Sequence, residues 1–332
     1  MADTLVFRCD ANPETGLGHF ARCRDLARLL RLERPELSVV FAGDLSAFAQ
    51  DVARELGFSV FEMAEGEALV PARLSQAGGQ KARLLIDSYR LDRAALAALA
   101  DWPVPWAVYD DFGKFDYAGC PLVINTRVSA AQSHYRAREV ALGPSFFPAS
   151  PELSVLRAER ARLPPNSPLE RALVFIGGRD MFGVGPRLAQ AIAEAFAAIQ
   201  VVLVQAEPLD LPEGRVVWRP LGRELGPLLA QTDLVIAGGG RSKYEASYCL
   251  LPCASVSQTA EQAVDTAELA EHGLCCDLGM AADFDAERVG ATLFDFWRPE
   301  PLTALRAAQT RQVPQDSGAR LARVVSSVLA LA

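Results

Sequence analysis

Short apolar runs alternate with segments of helical period along nearly the whole chain, a pattern that predicts β-α units and parallel sheets. In the first half, runs at residues 5–9, 37–42, 58–61, 84–87, 104–110 and 122–125 predict strands. Amphipathic segments at 19–34, 46–56 and 92–100 predict helices between them, and Pro35 and Gly57 mark two boundaries. A polar stretch then interrupts the alternation, with a charged helix-like piece at 156–162 and the break Pro164-Pro165-Asn166-Ser167-Pro168. Strand-like runs resume at 172–176, 201–205, 216–218, 234–237 and 254–256. Helices are expected at 186–197, 223–231, 242–250 and 261–272, and 318–332 reads as a closing amphipathic helix.

The expected fold is therefore α/β, with two Rossmann-like parallel-sheet domains facing across a cleft. Their bounds are 1–150 and 171–315, joined by a linker at 151–170 and followed by the helix at 316–332. A chain of 332 residues, half of them hydrophobic, is long enough for two cores. In open sheets of this kind ligands bind beyond the carboxyl ends of the strands, so the loops that follow strands hold the candidate chemistry.

Charge and composition narrow the partners. A formal net charge of −8 argues against a nucleic-acid backbone as the main partner. No apolar run approaches the length of a membrane span, and Met1-Ala2-Asp3-Thr4 enters a strand without a signal-peptide pattern, so a cytoplasmic protein without membrane insertion is expected. The seven cysteines are odd in number, and Cys9, Cys23 and Cys249 fall in apolar surroundings, which points to reduced core thiols. Neither Cys249 with Cys253 nor the Cys275-Cys276 pair has structural-zinc spacing with histidine support, so no metal site is expected.

Three loops stand out. The first runs from Asp10 to Gly16-Leu17-Gly18-His19 and delivers one of only three histidines to the start of a helix. The field of a helix N-terminus favours the neutral imidazole that a general base needs; the alternative is that His19 merely caps the helix. The second loop, Gly238-Gly239-Gly240-Arg241-Ser242-Lys243-Tyr244-Glu245, follows an apolar run and opens a helix, the arrangement of an anion site. Arg241 and Lys243 would add charge against a diphosphate, whereas Ser242-x-x-Glu245 also fits a capping box. The third, Gly177-Gly178-Arg179-Asp180, either lines the same site or ends its strand. Asp87, Tyr89, Asp110 and Asp111 place further polar groups after strands, on the edge that carries His19. His272, before Gly273, is expected to complement a helix dipole.

Taken in order, these motifs resemble a known family. Arg8-x-Asp10, then Gly16-x-Gly18-His19-x-x-Arg22-Cys23-x-x-Leu26-Ala27, looks like the N-terminal signature of the pseudaminic-acid-pathway UDP-sugar hydrolases and their spore-coat-polysaccharide relatives. Ile86-Asp87-x-Tyr89, Asp110-Asp111, Asn125, Tyr135, Leu142-Gly143-Pro144, Gly177-Gly178-x-Asp180, Gly238-Gly239 to Glu245, Leu251-Pro252 and Gln262 continue the match. The resemblance covers residues 5 to about 275 and implies a fold like that of the two-domain, metal-independent GT-B glycosyltransferases.

The activity it implies is inverting attack of water at the anomeric carbon of a UDP-linked 2,4-diacetamido-trideoxy sugar, in nonulosonic-acid or surface-glycan synthesis. It implies no cofactor and no metal, and a monomer would suffice. It assigns His19 as the base, with Arg8, Asp10, Gly18, Tyr89 and Asn125 at the sugar. Gly177, Gly239, Gly240, Ser242 and Gln262 fall to the nucleotide, and Glu245 to the ribose hydroxyls; Arg241 joins the nucleotide set by its charge alone. Arg241 and Lys243 replace small or apolar family residues, and Ser88 replaces a frequent histidine, which leaves another sugar nucleotide open. A glycosyltransferase and a non-catalytic sugar-nucleotide binder are the alternatives.

Overall fold

The computed structural model describes residues 3–64, 71–79, 81–209, 214–222 and 225–331. Met1, Ala2, Ala332 and the first two residues of the helix expected at 223–231 lie outside the described residues. The chain divides into two compact units, Met1–Ser150 with Asp316–Ala332, and Pro151–Gln315.

The first unit opens β1 (Thr4–Cys9), α1 (Gly18–Glu33), β2 (Ser38–Gly43), α2 (Ala47–Glu55), β3 (Ser59–Glu62), α3 (Pro71–Gly78) and β4 (Arg83–Asp87). It continues α4 (Arg93–Ala100), β5 (Trp106–Tyr109), β6 (Leu122–Asn125) and β7 (Glu139–Leu142). The seven strands are parallel and lie in the order β3-β2-β1-β4-β5-β6-β7. Parallel strands covered on both faces are apolar on both, which is why 5–7 and 84–86 read as unbroken hydrophobic runs. Phe7, Phe20, Leu26 and Leu30 join a core on the α1 and α2 side, while Val6, Leu74, Leu84, Ile86 and Leu99 join one on the α3 and α4 side.

One close approach at this sheet admits only glycine. A β carbon on Gly43 would lie 1.8 Å from the Cys9 carbonyl oxygen, a backbone atom that cannot rotate away. Gly43→Ala is expected to destabilise the first unit by about 1–3 kcal/mol. Denaturant unfolding checks this; an unchanged midpoint would show that the two strand ends yield freely.

The second unit begins α5 (Pro151–Arg160), β8 (Arg171–Phe175), α6 (Val184–Ala195), β9 (Gln200–Val204), β10 (Val216–Arg219) and α7 (Gly226–Leu229). It goes on β11 (Leu234–Gly238), α8 (Ser242–Tyr248), β12 (Cys253–Ser257), α9 (Ala260–Glu271), β13 (Cys276–Met280), α10 (Ala286–Phe296) and α11 (Pro299–Gln312). Its six parallel strands run β10-β9-β8-β11-β12-β13. The stretch expected as a polar linker starts with a helix: α5 buries Leu153 and Leu156 within this unit. The last helix, α12 (Ser317–Val328), returns to the first unit. There Leu321, Ala322 and Val325 enter the core that contains Leu26 and Leu30 of α1.

Candidate functional site

The strand order reverses direction of growth between β1 and β4, which makes a crevice at their carboxyl ends. Parallel pairing sets Cys9 level with Asp87, so the loop after β1 and the end of β4 arrive together. The loop itself is built by short polar side chains. Asn12 Oδ1 accepts from the backbone N–H of Glu14 (3.0 Å) and Thr15 (2.9 Å), and its Nδ2 donates to Asp44 Oδ2 at 2.6 Å. Asp10 Oδ1 accepts from Arg8 Nη1 at 2.6 Å and from the Asp44 backbone N–H at 3.1 Å. Arg8 and Asp10 are both buried, so their part in any substrate site runs through the loop they hold. Gly16 then takes φ +68°, a left-handed turn that leads into α1.

His19 does not cap α1. The N-cap position is Leu17, and it has no side-chain cap bond. The imidazole instead meets the end of β4, with Nδ1 2.5 Å from Asp87 Oδ1. Arg22, one turn further along α1, grips the same carboxylate through Nε (2.5 Å) and Nη2 (2.5 Å). It also holds Asp111 through Nη1 (2.7 Å) and Nη2 (2.9 Å), and its guanidinium lies 4.5 Å over the Tyr109 ring. Burial raises the Asp87 carboxyl, but Arg22 and His19 outweigh it and hold the group well below the usual carboxylate range. Its contribution to stability is therefore present above about pH 4 and is lost as pH falls towards the folded value. With Nδ1–H donated to an ionised carboxylate, Nε2 is the nitrogen left to accept a proton.

Tyr89, two residues past β4, sets its ring edge-on to His19 with centroids 4.4 Å apart. Half of Tyr89 is exposed, yet the crowding around its hydroxyl, then the Asp111 charge, raise the phenol above its usual range. Asn125, at the end of β6, is buried; its Nδ2 donates to Tyr135 Oη at 2.8 Å, and Tyr135 donates onward to Asp110 Oδ2 at 2.9 Å. Gly18 faces open space, with nothing within 4 Å of where a β carbon would sit. Asp87, Arg22, Asp111 and Asp44 carry no role in the sequence pattern alone. Asp87 and Asp111 stood out as polar residues after strands on the His19 edge and as members of the ordered motifs, without a role of their own.

The second unit repeats the device between β8 and β11. Gly177 takes φ +116°, and Asp180 closes the loop onto α6 by accepting from the N–H of Val184 (3.0 Å) and Gly185 (2.7 Å). Gln258, after β12, ties this loop down: Oε1 accepts from Met181 N–H at 2.7 Å and Nε2 donates to the Arg179 carbonyl at 2.9 Å. Gly239 is pressed against α9, where an added β carbon would lie 2.5 Å from Gln262 Cβ. Gln262 Oε1 accepts from Gln258 N–H at 2.9 Å, so it too shapes the loop. Gly240 faces open space.

Two expectations on this loop are corrected. Ser242 is not an N-cap: α8 begins at Ser242, Arg241 holds the cap position without a side-chain bond, and no capping box forms. Glu245 accepts instead from Arg241 Nε at 2.9 Å, one helical turn back. Lys243 does not present its charge to a ligand. It is fully buried, with Nζ 2.7 Å from Asp265 Oδ2 and 2.8 Å from Thr266 Oγ1.

His272 is the C-cap of α9, and its Nδ1 lies 2.8 Å from the Glu268 carbonyl. All seven cysteines are unpaired, six of them buried. Among the described residues no group of three or more His, Cys, Asp or Glu is placed to hold a metal ion, and no helix is long and apolar enough to cross a membrane.

No family model matches the chain, and no curated protein matches it in sequence. Solved structures do match along its full length. Acinetobacter baumannii MurG is 11% identical with a TM-score of 0.64, covering 98% of this chain and 100% of that one. S. aureus MnaA in complex with UDP is 11% identical with a TM-score of 0.64, over 99% and 98% of the two chains. The spinosyn rhamnosyltransferase SpnG with thymidine diphosphate is 16% identical with a TM-score of 0.61, over 98% and 99%. Likeness at these identities establishes the fold: two parallel-sheet α/β units of the kind found in GT-B glycosyltransferases.

Proposed function

We propose that the chain is an enzyme acting at the anomeric carbon of a nucleotide sugar, with His19 accepting the proton of the attacking hydroxyl. One observation carries the reading: the 2.5 Å contact of His19 Nδ1 with Asp87, a carboxylate that Arg22 keeps ionised. A base so held takes a proton at Nε2, and the adjacent carboxylate stabilises the imidazolium that results. The oxygen nucleophile bonds to the anomeric carbon as the bond to the nucleoside diphosphate breaks; the electron pair leaves with the diphosphate, and attack from the opposite face inverts the centre. Tyr89, Asn125 and Gly18, supported by Arg8 and Asp10, are assigned to the sugar. Gly177, Gly239, Gly240, Ser242 and Arg241 are assigned to the diphosphate, and Glu245 and Gln262 to the rest of the nucleotide. No cofactor enters this scheme.

Two nucleophiles fit. An acceptor hydroxyl is supported by the glycosyltransferases of similar fold, among them a rhamnosyltransferase complexed with thymidine diphosphate. Water is the second reading, supported by the ordered motifs from Arg8 to Gln262 that resemble the UDP-sugar hydrolases, with a UDP-linked diacetamido-trideoxy sugar as substrate. Unpaired thiols throughout accord with a cytoplasmic place for either reaction.

Incubating a panel of UDP-sugars in heavy-oxygen water, with and without hydroxyl acceptors, separates them. UDP release only with acceptor, and no label in the sugar, is the result expected for transfer. Label at the anomeric position of free sugar without acceptor establishes hydrolysis. If no member of the panel is bound and none releases UDP, with or without acceptor, the proposal is overturned.

A further inference from the structure

We propose that the Phe112 ring is a stacking surface for the apolar C–H face of the sugar. The inference deepens the nucleotide-sugar reading and rests on it. Large apolar side chains are ordinarily left exposed one at a time. In the first unit, the large hydrophobic side chains that are exposed among the described residues are Leu32, Tyr89 and Phe112. Leu32 stands apart on α1, whereas Tyr89 (52% exposed) and Phe112 (49%) touch each other, their ring centroids 5.5 Å apart, beside His19.

Phe112 is also held in place, although half of it is bare. The Arg127 guanidinium lies 5.7 Å over one side of the ring. Arg127 is itself fixed at both ends: its backbone N–H donates to Asn125 Oδ1 at 3.0 Å, and its Nη1 donates to the Asp111 carbonyl at 2.9 Å. The backbone N–H of Phe112 donates to Asp110 Oδ1 at 3.3 Å. The loop after β5 thus presents an aromatic ring backed by a cation and braced by Tyr89, the ring that itself packs on the proposed base. A pyranose has polar edges and an apolar face of axial C–H groups. An aromatic wall covers that face and leaves the hydroxyl edge to the hydrogen-bonding groups around it.

The test compares wild type with Phe112→Ala, Phe112→Leu and Phe112→Tyr. The probe is whichever member of a panel of UDP-glucose, UDP-galactose, UDP-N-acetylglucosamine and a UDP-diacetamido sugar the wild type turns over. Phe112→Ala is expected to raise KM about tenfold with kcat little changed, the loss of one stacking contact. Phe112→Tyr should restore KM. The affinity for UDP alone, which lacks the sugar, and the thermal midpoint should not move. An unchanged KM in Phe112→Ala, a wild-type KM in Phe112→Leu, or an equal loss of UDP affinity would overturn the stacking role while leaving the nucleotide-sugar reading standing. Failure of the wild type to bind or turn over any member of the panel would end both.

Discussion

His19→Asn is expected to lower kcat by about 10²–10⁴-fold, the range that a positioned general base contributes. Asparagine is the informative replacement because its side-chain N–H can donate to Asp87 from near the place of the imidazole Nδ1. The Arg22–Asp87–Asp111 cluster then keeps its bonds at 2.5–2.9 Å. What disappears is the Nε2 acceptor. UDP release gives kcat, and calorimetry gives UDP affinity, which is expected to stay at the wild-type value. A parallel loss of UDP affinity or of folded protein would make His19 a structural residue. Asp87→Asn is the poorer experiment, because the same carboxylate neutralises the partly buried Arg22 guanidinium and its loss mixes stability with chemistry.

Most of the strands were legible because a parallel strand covered on both faces is apolar on both. Irregular elements were not. The strand β13 contains Gly279 at φ +84° and shifts register against β12 between Ser255 and Ser257, so it carries no clean period. Helix α11 starts at Pro299 with Pro301 two residues later, and prolines read as breakers although the first turn of a helix tolerates them. The C-terminal helix was visible by its amphipathic period. Its seat on α1, some 300 positions earlier in the chain, is a tertiary fact that no local pattern encodes.

The candidate site divides the same way. A strand, two glycines and a helix start were enough to single out His19. Asp87 could be placed on the same edge, but its direct pairing with His19 was not legible, because it takes the placement of β1 beside β4 to bring Asp87 level with Cys9. Ser242-x-x-Glu245 has capping-box spacing, yet a competing cation one position earlier takes the glutamate. Spacing cannot say which of two local bonds wins.

Lys243 shows what that ambiguity conceals, and Lys243→Met is expected to destabilise the second unit by about 3 kcal/mol. The side chain is wholly buried on α8 and reaches α9, where Nζ meets Asp265 Oδ2 and Thr266 Oγ1; Thr266 in turn accepts from Ser257 Oγ at 3.0 Å. Removing one member of a buried ion pair leaves the other uncompensated, which costs about 3–5 kcal/mol. The lower end applies because Asp265 is 14% exposed on its side chain and keeps the Tyr244 hydroxyl as a donor at 2.7 Å. Removing the second charge as well, in Lys243→Met/Asp265→Asn, should recover part of the loss, since no unpaired ion remains. Denaturant unfolding should show the transition of the second unit moving and that of the first unchanged. A surface cation would shift stability by no more than about 0.5 kcal/mol. A result that small, accompanied by weakened UDP binding, would put Lys243 back against the diphosphate and overturn its place as the bolt between α8 and α9.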